Sequence, residues 1–250
     1  MILAKIVHYR IKYIRLSISI IRRKKIIMNE KPYLIVMLTY DDMTVENAYE
    51  IFDSCKDSKA VVFGFKEEPL PTDEMKRIFN YMKEKGKTTG LEVVAYTEEK
   101  GLEGAKVAKE CGCDFLMGTI FADSILDFCK ENNIKYMPFV GKVTKRPSIL
   151  EGTAEDMIKE AKEYISKGAF GIDLLGYRYT KDAFSLIKEV TKGVNGPVCV
   201  AGSVDSYDRL DEILEANPQS FTIGSAFFDN KFDGTFCEQI DKVVSYIEEH

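Results

Sequence analysis

From residue 33 onward two kinds of stretch alternate along the chain. Short runs rich in β-branched and aromatic residues are "YLIVMLT" (33–39), "AVVFGF" (60–65), "LEVVAY" (91–96), "FLMGT" (115–119), "KYMPFV" (135–140), "FGIDLL" (170–175), "VCVAG" (198–202) and "SFTIG" (220–224). Between them lie longer segments with apolar residues at helical spacing, such as "PTDEMKRIFNYMKEKG" and "TAEDMIKEAKEYISKG". Several of these begin with Thr, Asp or Pro and end in Gly or Asn, as helix caps require. The pattern predicts eight strands, each followed by a helix, at roughly 27 residues per unit, the repeat of a closed parallel barrel. An open doubly wound sheet fits less well, because it has fewer strands and its phosphate glycines follow the first strand. The expected fold is α/β: a single-domain (β/α)8 TIM barrel over residues 30–250, preceded by a short basic extension over residues 1–29.

Charge separates that extension from the body. Its first 27 residues, "MILAKIVHYRIKYIRLSISIIRRKKII", hold eight Lys/Arg and no acid. The whole chain has 35 Lys/Arg against 40 Asp/Glu, so setting those eight aside leaves 27 against 40, a balance of −13. An acidic body is a poor partner for nucleic acid. The extension is too interrupted by bases for a spanning helix and lacks a signal-peptide core. It reads as an upstream segment with the functional start at Met28; an amphipathic membrane-surface helix and an ordered arm are the alternatives. No membrane partner is expected for the barrel itself.

Composition then narrows the chemistry. The six cysteines form no Cys-x-x-Cys and read as reduced thiols of a cytoplasmic protein. Only two histidines occur, His8 and His250, near the two ends. Histidine-based triads and histidine–zinc sites are therefore disfavoured. Acid–base work falls to carboxylate, lysine, tyrosine or thiol, with no metal and no cofactor expected.

In a barrel the reacting groups sit at the C-terminal ends of the strands. Those ends offer Asp41 and Asp42, Lys66, Tyr96 and Thr97, Lys142, Asp173, and Arg178. Asp42 reads as a cap of the first helix together with Thr44, and Asp41 as open to substrate. Asp173 interrupts the apolar run "FGIDLL". Alternation sets it opposite Phe170, Ile172 and Leu174, which sends it into the barrel, where a carboxylate must be paired, protonated or functional. Lys66 and Lys142 can serve as a base, a Schiff-base amine or a phosphate partner; Glu67 and Glu68 offer Lys66 a plain surface ion pair. Arg146 and Arg178 present planar forks to phosphate or carboxylate. The seventh and eighth runs both end in Gly-Ser, at Gly202-Ser203 and Gly224-Ser225. Glycine admits an anion close to the main chain and serine adds a donor, so the two pairs read as the jaws of one phosphate clamp.

These residues carry a resemblance. The stretch Lys167–Phe228, with Gly176-Tyr177, Gly202 and Ile223-Gly224-Ser225-Ala226, resembles the C-terminal third of ribulose-phosphate-binding barrels, and within them the N-acetylmannosamine-6-phosphate 2-epimerases. "FGFK" at Phe63–Lys66 is similar to the strand end that carries that family's catalytic lysine, and "KVTKRPS" (142–148) to its Arg-Pro loop. Two family carboxylates have no counterpart: "VAGS" stands where the seventh strand ends in glutamate, and Val140-Gly141 where an aspartate precedes the arginine–proline loop. The resemblance implies a barrel with a phosphate site. The expected function is an isomerase or epimerase that moves a proton next to the carbonyl of a small phosphorylated sugar or sugar acid. A Schiff-base aldolase and a non-catalytic phosphometabolite-binding barrel are the alternatives, and a homodimer is the assembly to test.

Overall fold

The computed structural model describes residues 31–250, so the basic extension and its readings lie outside the described residues. Strands are numbered in chain order. The eight barrel strands are β1 (Tyr33–Met37), β4 (Val62–Lys66), β5 (Thr88–Val93), β6 (Phe115–Gly118), β7 (Lys135–Met137), β10 (Ile172–Leu174), β11 (Val198–Val200) and β12 (Ser220–Ile223). Two small rim hairpins are formed by β2 (Thr39–Tyr40) with β3 (Met43–Thr44) and by β8 (Lys142–Thr144) with β9 (Ile149–Glu151). The helices are α1 (Ala48–Cys55), α2 (Thr72–Glu84), α3 (Glu98–Glu110), α4 (Asp123–Glu131), α5 (Ala154–Lys167), α6 (Ala183–Gly193), α7 (Tyr207–Ala216), α8 (Ser225–Phe228) and α9 (Phe236–Glu249).

All barrel ladders are parallel, in the order β10-β11-β12-β1-β4-β5-β6-β7. The remaining seam closes through a parallel bridge between Phe139 and Asp173. There the amides of Phe170 and Asp173 donate to the carbonyls of Tyr136 and Pro138, each at 2.9 Å. The result is a (β/α)8 barrel, as the alternation predicts. No helix of the described residues is long and apolar enough to cross a membrane.

Period-two alternation splits each strand between two cores. Val36, Phe63, Phe65, Leu91, Leu116, Ile172 and Leu174 face the helices in the main apolar cluster. Tyr33, Ile35, Met37, Val62, Phe115, Met117, Met137 and Cys199 fill the barrel. Phe170, expected on the helix side, packs with this inner set, its ring edge-on to Phe115 at 5.7 Å. The caps follow the residue types: Thr97, Thr153, Asp182 and Ser206 accept the amides of Lys100, Asp156, Ser185 and Arg209, and Thr235 forms a full capping box with Glu238.

Two departures from the sequence reading matter for the site. The third barrel strand begins three residues early, at Thr88, because Gly90 is a strand position in register with Gly64 and not a turn. Its end is therefore Glu92–Val93; Tyr96 and Thr97 lie beyond it, where Tyr96 bonds the Lys145 carbonyl and Thr97 caps α3. The fifth strand stops at Met137. Gly141, at φ +75°, breaks the alternation that would have carried Lys142 inward, and the chain turns into the β8–β9 hairpin.

Gly64 and Gly90 let β4 and β5 approach closely. A Cβ on Gly64 would lie 2.4 Å from the Gly90 carbonyl oxygen and 3.3 Å from the Met37 sulfur. Because backbone cannot yield as a flexible side chain can, Gly64→Ala is expected to destabilise by about 1–3 kcal/mol. Urea unfolding monitored by circular dichroism checks this.

Candidate functional site

At the C-terminal end of the barrel lies a cavity of about 300 Å³, within the size range of small-ligand sites. Asp42, Lys66 and Glu92 line it, as do Arg178 and both Gly-Ser pairs.

The charged side is built from adjacent strands. Lys66 ends β4, and its register partner on β5 is Glu92, so period two sends both inward at the same level. The third member comes from the rim. Asp41 and Asp42 are the two central residues of the β2–β3 hairpin, both at positive φ (46° and 68°), the conformation a two-residue hairpin turn demands and aspartate tolerates. Thr44 pins this hairpin to β4: its hydroxyl donates to the Lys66 carbonyl at 2.8 Å and accepts the Lys66 amide at 2.9 Å. Asp42 and Thr44 therefore do not cap α1, whose N-cap position is Asn47, without a side-chain cap hydrogen bond. Asp42 instead takes a hydrogen bond from the Lys66 ammonium, and Glu92 lies 3.4 Å from the same nitrogen. All three side chains are 8–9% exposed.

Arg146 braces this cluster from the loop between β8 and β9. Its guanidinium meets Asp42 at 3.2 Å, Glu68 at 3.0 Å and Glu67 at 3.6 Å. Glu67 and Glu68 thus serve Arg146 and not Lys66, as the sequence had suggested. Burial alone would push the Lys66 ammonium down, but the Glu92 and Asp42 carboxylates outweigh it and hold Lys66 above the usual lysine value. It is a cation at neutral pH.

Asp173 lies below the cavity floor and does not line it. It is completely buried, and neither carboxyl oxygen has a hydrogen-bond partner among the described residues. Burial first, and the nearby Glu92 charge second, raise its pKa well above the usual carboxylate range; Lys66 pulls it back only in part.

The opposite side carries the paired turns. Gly202 and Ser203 both have positive φ (84° and 58°), and Ser206 behind them caps α7. Ser225 opens α8, and its hydroxyl accepts the Asp41 amide at 3.2 Å, tying the rim hairpin to this side. Arg178, from the 3₁₀ turn Gly176–Arg178, packs against Gly202, where an added Cβ would sit 2.6 Å from its Cγ. Among the described residues no carboxylate pairs with Arg178. The structure thus gathers Asp41, Lys66, Gly202, Ser203, Gly224, Ser225 and Arg178 around one cavity, with Arg146 at its edge. Lys142 is apart: its side chain is 70% exposed and pairs with Glu151 at 3.3 Å.

Glu92 was missed in the sequence. The signal that drew attention to Asp173, a carboxylate inside an apolar run, was present in "LEVVAY". Placing the strand three residues late left Glu92 at its beginning instead of its end.

No protein-family model matches the chain, and no curated protein matches it. Solved structures do. Orotidine 5'-phosphate decarboxylase from Pyrococcus horikoshii OT3 superposes with a TM-score of 0.63 at 16% identity, over 86% of this chain and 99% of that one. A native KDPGal structure gives 0.64 at 14% identity, over 89% and 97%. The chain shares the (β/α)8 barrel fold of these proteins. N-acetylmannosamine-6-phosphate 2-epimerase from Clostridium perfringens, from the family the sequence resembles, shares that fold at a TM-score of 0.59 and 14% identity, over 85% and 92%. At these identities the likeness is one of fold.

Proposed function

We propose that this barrel binds a small phosphorylated sugar or sugar acid and moves a proton on the carbon next to its carbonyl. The observation that carries the reading is the division of one cavity into two halves: a buried Lys66 cation between two carboxylates, and facing it two Gly-Ser turns beside Arg178, which no carboxylate of the described residues neutralises. Arg178, Ser203 and Ser225 receive the phosphate, with Gly202 and Gly224 keeping the approach clear. The carbonyl oxygen turns to Lys66. Asp42 or Glu92 accepts the α-proton, and the Lys66 ammonium stabilises the enolate that forms. Return of the proton to the other face of the α-carbon completes an epimerisation; its delivery to the former carbonyl carbon, with the α-hydroxyl proton passing to the enolate oxygen, completes an isomerisation. Lys142, exposed and remote, has no part in this scheme. The likeness in fold to the epimerase and the decarboxylase supports a phosphosugar-related enzyme of this general kind, and six free cysteines, five of them buried, fit a reducing cytoplasmic setting.

A Schiff-base aldolase needs a neutral amine as nucleophile, which the two carboxylates at Lys66 oppose. Deuterium exchange at the α-carbon, followed by NMR across a panel of phosphorylated sugars, tests the proposal. Exchange without any borohydride-trapped adduct is expected. A trapped lysine adduct would favour the aldolase, and phosphosugar binding with no exchange would favour a non-catalytic barrel.

Arg178→Ala tests the phosphate half. Gly202→Val would not serve, because its side chain strikes Arg178 and strains a glycine at φ +84°. Loss of one charge-assisted contact is expected to weaken inorganic phosphate binding by about tenfold or more, with the melting temperature little changed. Calorimetric titration reads the affinity.

A further inference from the structure

We infer that Thr39 and Thr222 determine specificity in the cavity at the C-terminal end of the barrel, binding hydroxyl groups on the carbons between the substrate's phosphate and its carbonyl. The inference rests on the proposed function and narrows its substrate class to a polyhydroxylated phosphate, as against a deoxygenated one.

Alternation places both side chains. On β1, Ile35 and Met37 point into the barrel and Leu38 toward the helices, so Thr39 is the next inward position. On β12, Phe221 and Ile223 face the helices, and Thr222 between them points inward, in register with Ile35. Gly224 is the inward position above it, where a Cβ would lie 2.5 Å from the Thr39 hydroxyl oxygen. The strand order β11-β12-β1-β4-β5 then fixes where the pair sits. The Gly-Ser turns follow β11 and β12, while Lys66 and Glu92 project from β4 and β5. Thr39 and Thr222 occupy the arc of wall between these halves. A molecule with its phosphate at the turns and its carbonyl at Lys66 lays its middle carbons along that arc.

The two hydroxyls supply the second observation. Thr39 is 6% and Thr222 7% exposed, and both line the cavity. Neither hydroxyl makes a hydrogen bond among the described residues, yet neither is sealed off, so the surface each keeps opens into the cavity. A threonine hydroxyl both donates and accepts. A carbonyl or phosphoryl oxygen can only accept from it, whereas a substrate hydroxyl matches both capacities. The phosphate already has Arg178, Ser203 and Ser225 as donors.

Two probes without a carbonyl separate this inference from the reaction. Erythritol 4-phosphate and n-butyl phosphate share a carbon chain and a phosphate and differ only in hydroxyl groups. Calorimetric titration of the full chain is expected to show erythritol 4-phosphate bound about tenfold or more tightly than butyl phosphate. Thr39→Val and Thr222→Val should each weaken erythritol 4-phosphate by about three- to tenfold and leave butyl phosphate and inorganic phosphate unchanged. Thr222→Ser, which keeps the hydroxyl, should retain the preference, with melting temperatures alike across the set. Equal binding of both probes by the unaltered chain overturns the inference, as does a preference that survives both valine changes. An equal loss of affinity for all three anions in the valine variants overturns it by giving the hydroxyls to the phosphate. Failure of every anion to bind the unaltered chain overturns the phosphate half and this inference together. Failure of the reaction alone is distinct: α-proton exchange is absent while the hydroxyl preference, and this inference with it, stands.

Discussion

Lys66→Met is expected to remove α-proton exchange almost completely while leaving phosphate affinity unchanged. Two effects add. The variant loses the cation that stabilises the enolate, a contribution of roughly 10²–10⁴-fold for a positioned acid–base partner. It also leaves Asp42 and Glu92 facing each other with no ammonium between them. Removing one member of a buried ion pair costs about 3–5 kcal/mol because the other charge stays buried. The two effects separate in the double variant Lys66→Met with Glu92→Gln, which relieves the stranded charge. It should regain most of the stability and none of the exchange. Exchange persisting in Lys66→Met, with the fold intact, would remove Lys66 from contact with the reacting atoms.

The second large effect is a pH dependence of stability that belongs to Asp173. Its folded-state pKa is raised by burial, so the native protein keeps a proton that the unfolded chain releases near pH 4. The stabilising contribution is complete below that pH. As pH rises toward the folded pKa, stability falls by about 1.4 kcal/mol per unit through this group alone. Asp173→Asn removes the titration. Urea unfolding of both proteins at a series of pH values should show the difference in stability between them changing with that slope above pH 4. A parallel pair of curves would mean that Asp173 is ionised in the native state and has a partner.

Most of the barrel was legible in the sequence because its signals are local. A strand buried on both faces is a short apolar run, and a helix covering it repeats every three to four residues. Asp173 was legible for the same reason: a charge inside such a run has few places to go. What escaped depended on register and on backbone conformation. Glu92 meets Lys66 only because Gly90 pairs with Gly64, a relation between two strands that neither shows alone. Asp42 reaches the site through a positive-φ hairpin turn, and the same two aspartates before a helical segment read equally well as caps. Lys142 failed to turn inward because one glycine, Gly141, ended the alternation. The two Gly-Ser pairs were found without the structure because both lie directly on strand ends, where chain order and position in space coincide.

Asp42 has a consequence for how this chain can vary. One carboxylate serves both Lys66 in the wall of the barrel and Arg146 in a loop 104 residues away in sequence. Lysine and arginine are thereby joined by a shared counter-charge. A change at position 146 alters the electrostatics felt at position 66 through the carboxylate they share. Tolerance at the three positions is therefore epistatic: a substitution acceptable at one depends on what stands at the other two, and drift in the rim loop is constrained by chemistry inside the barrel.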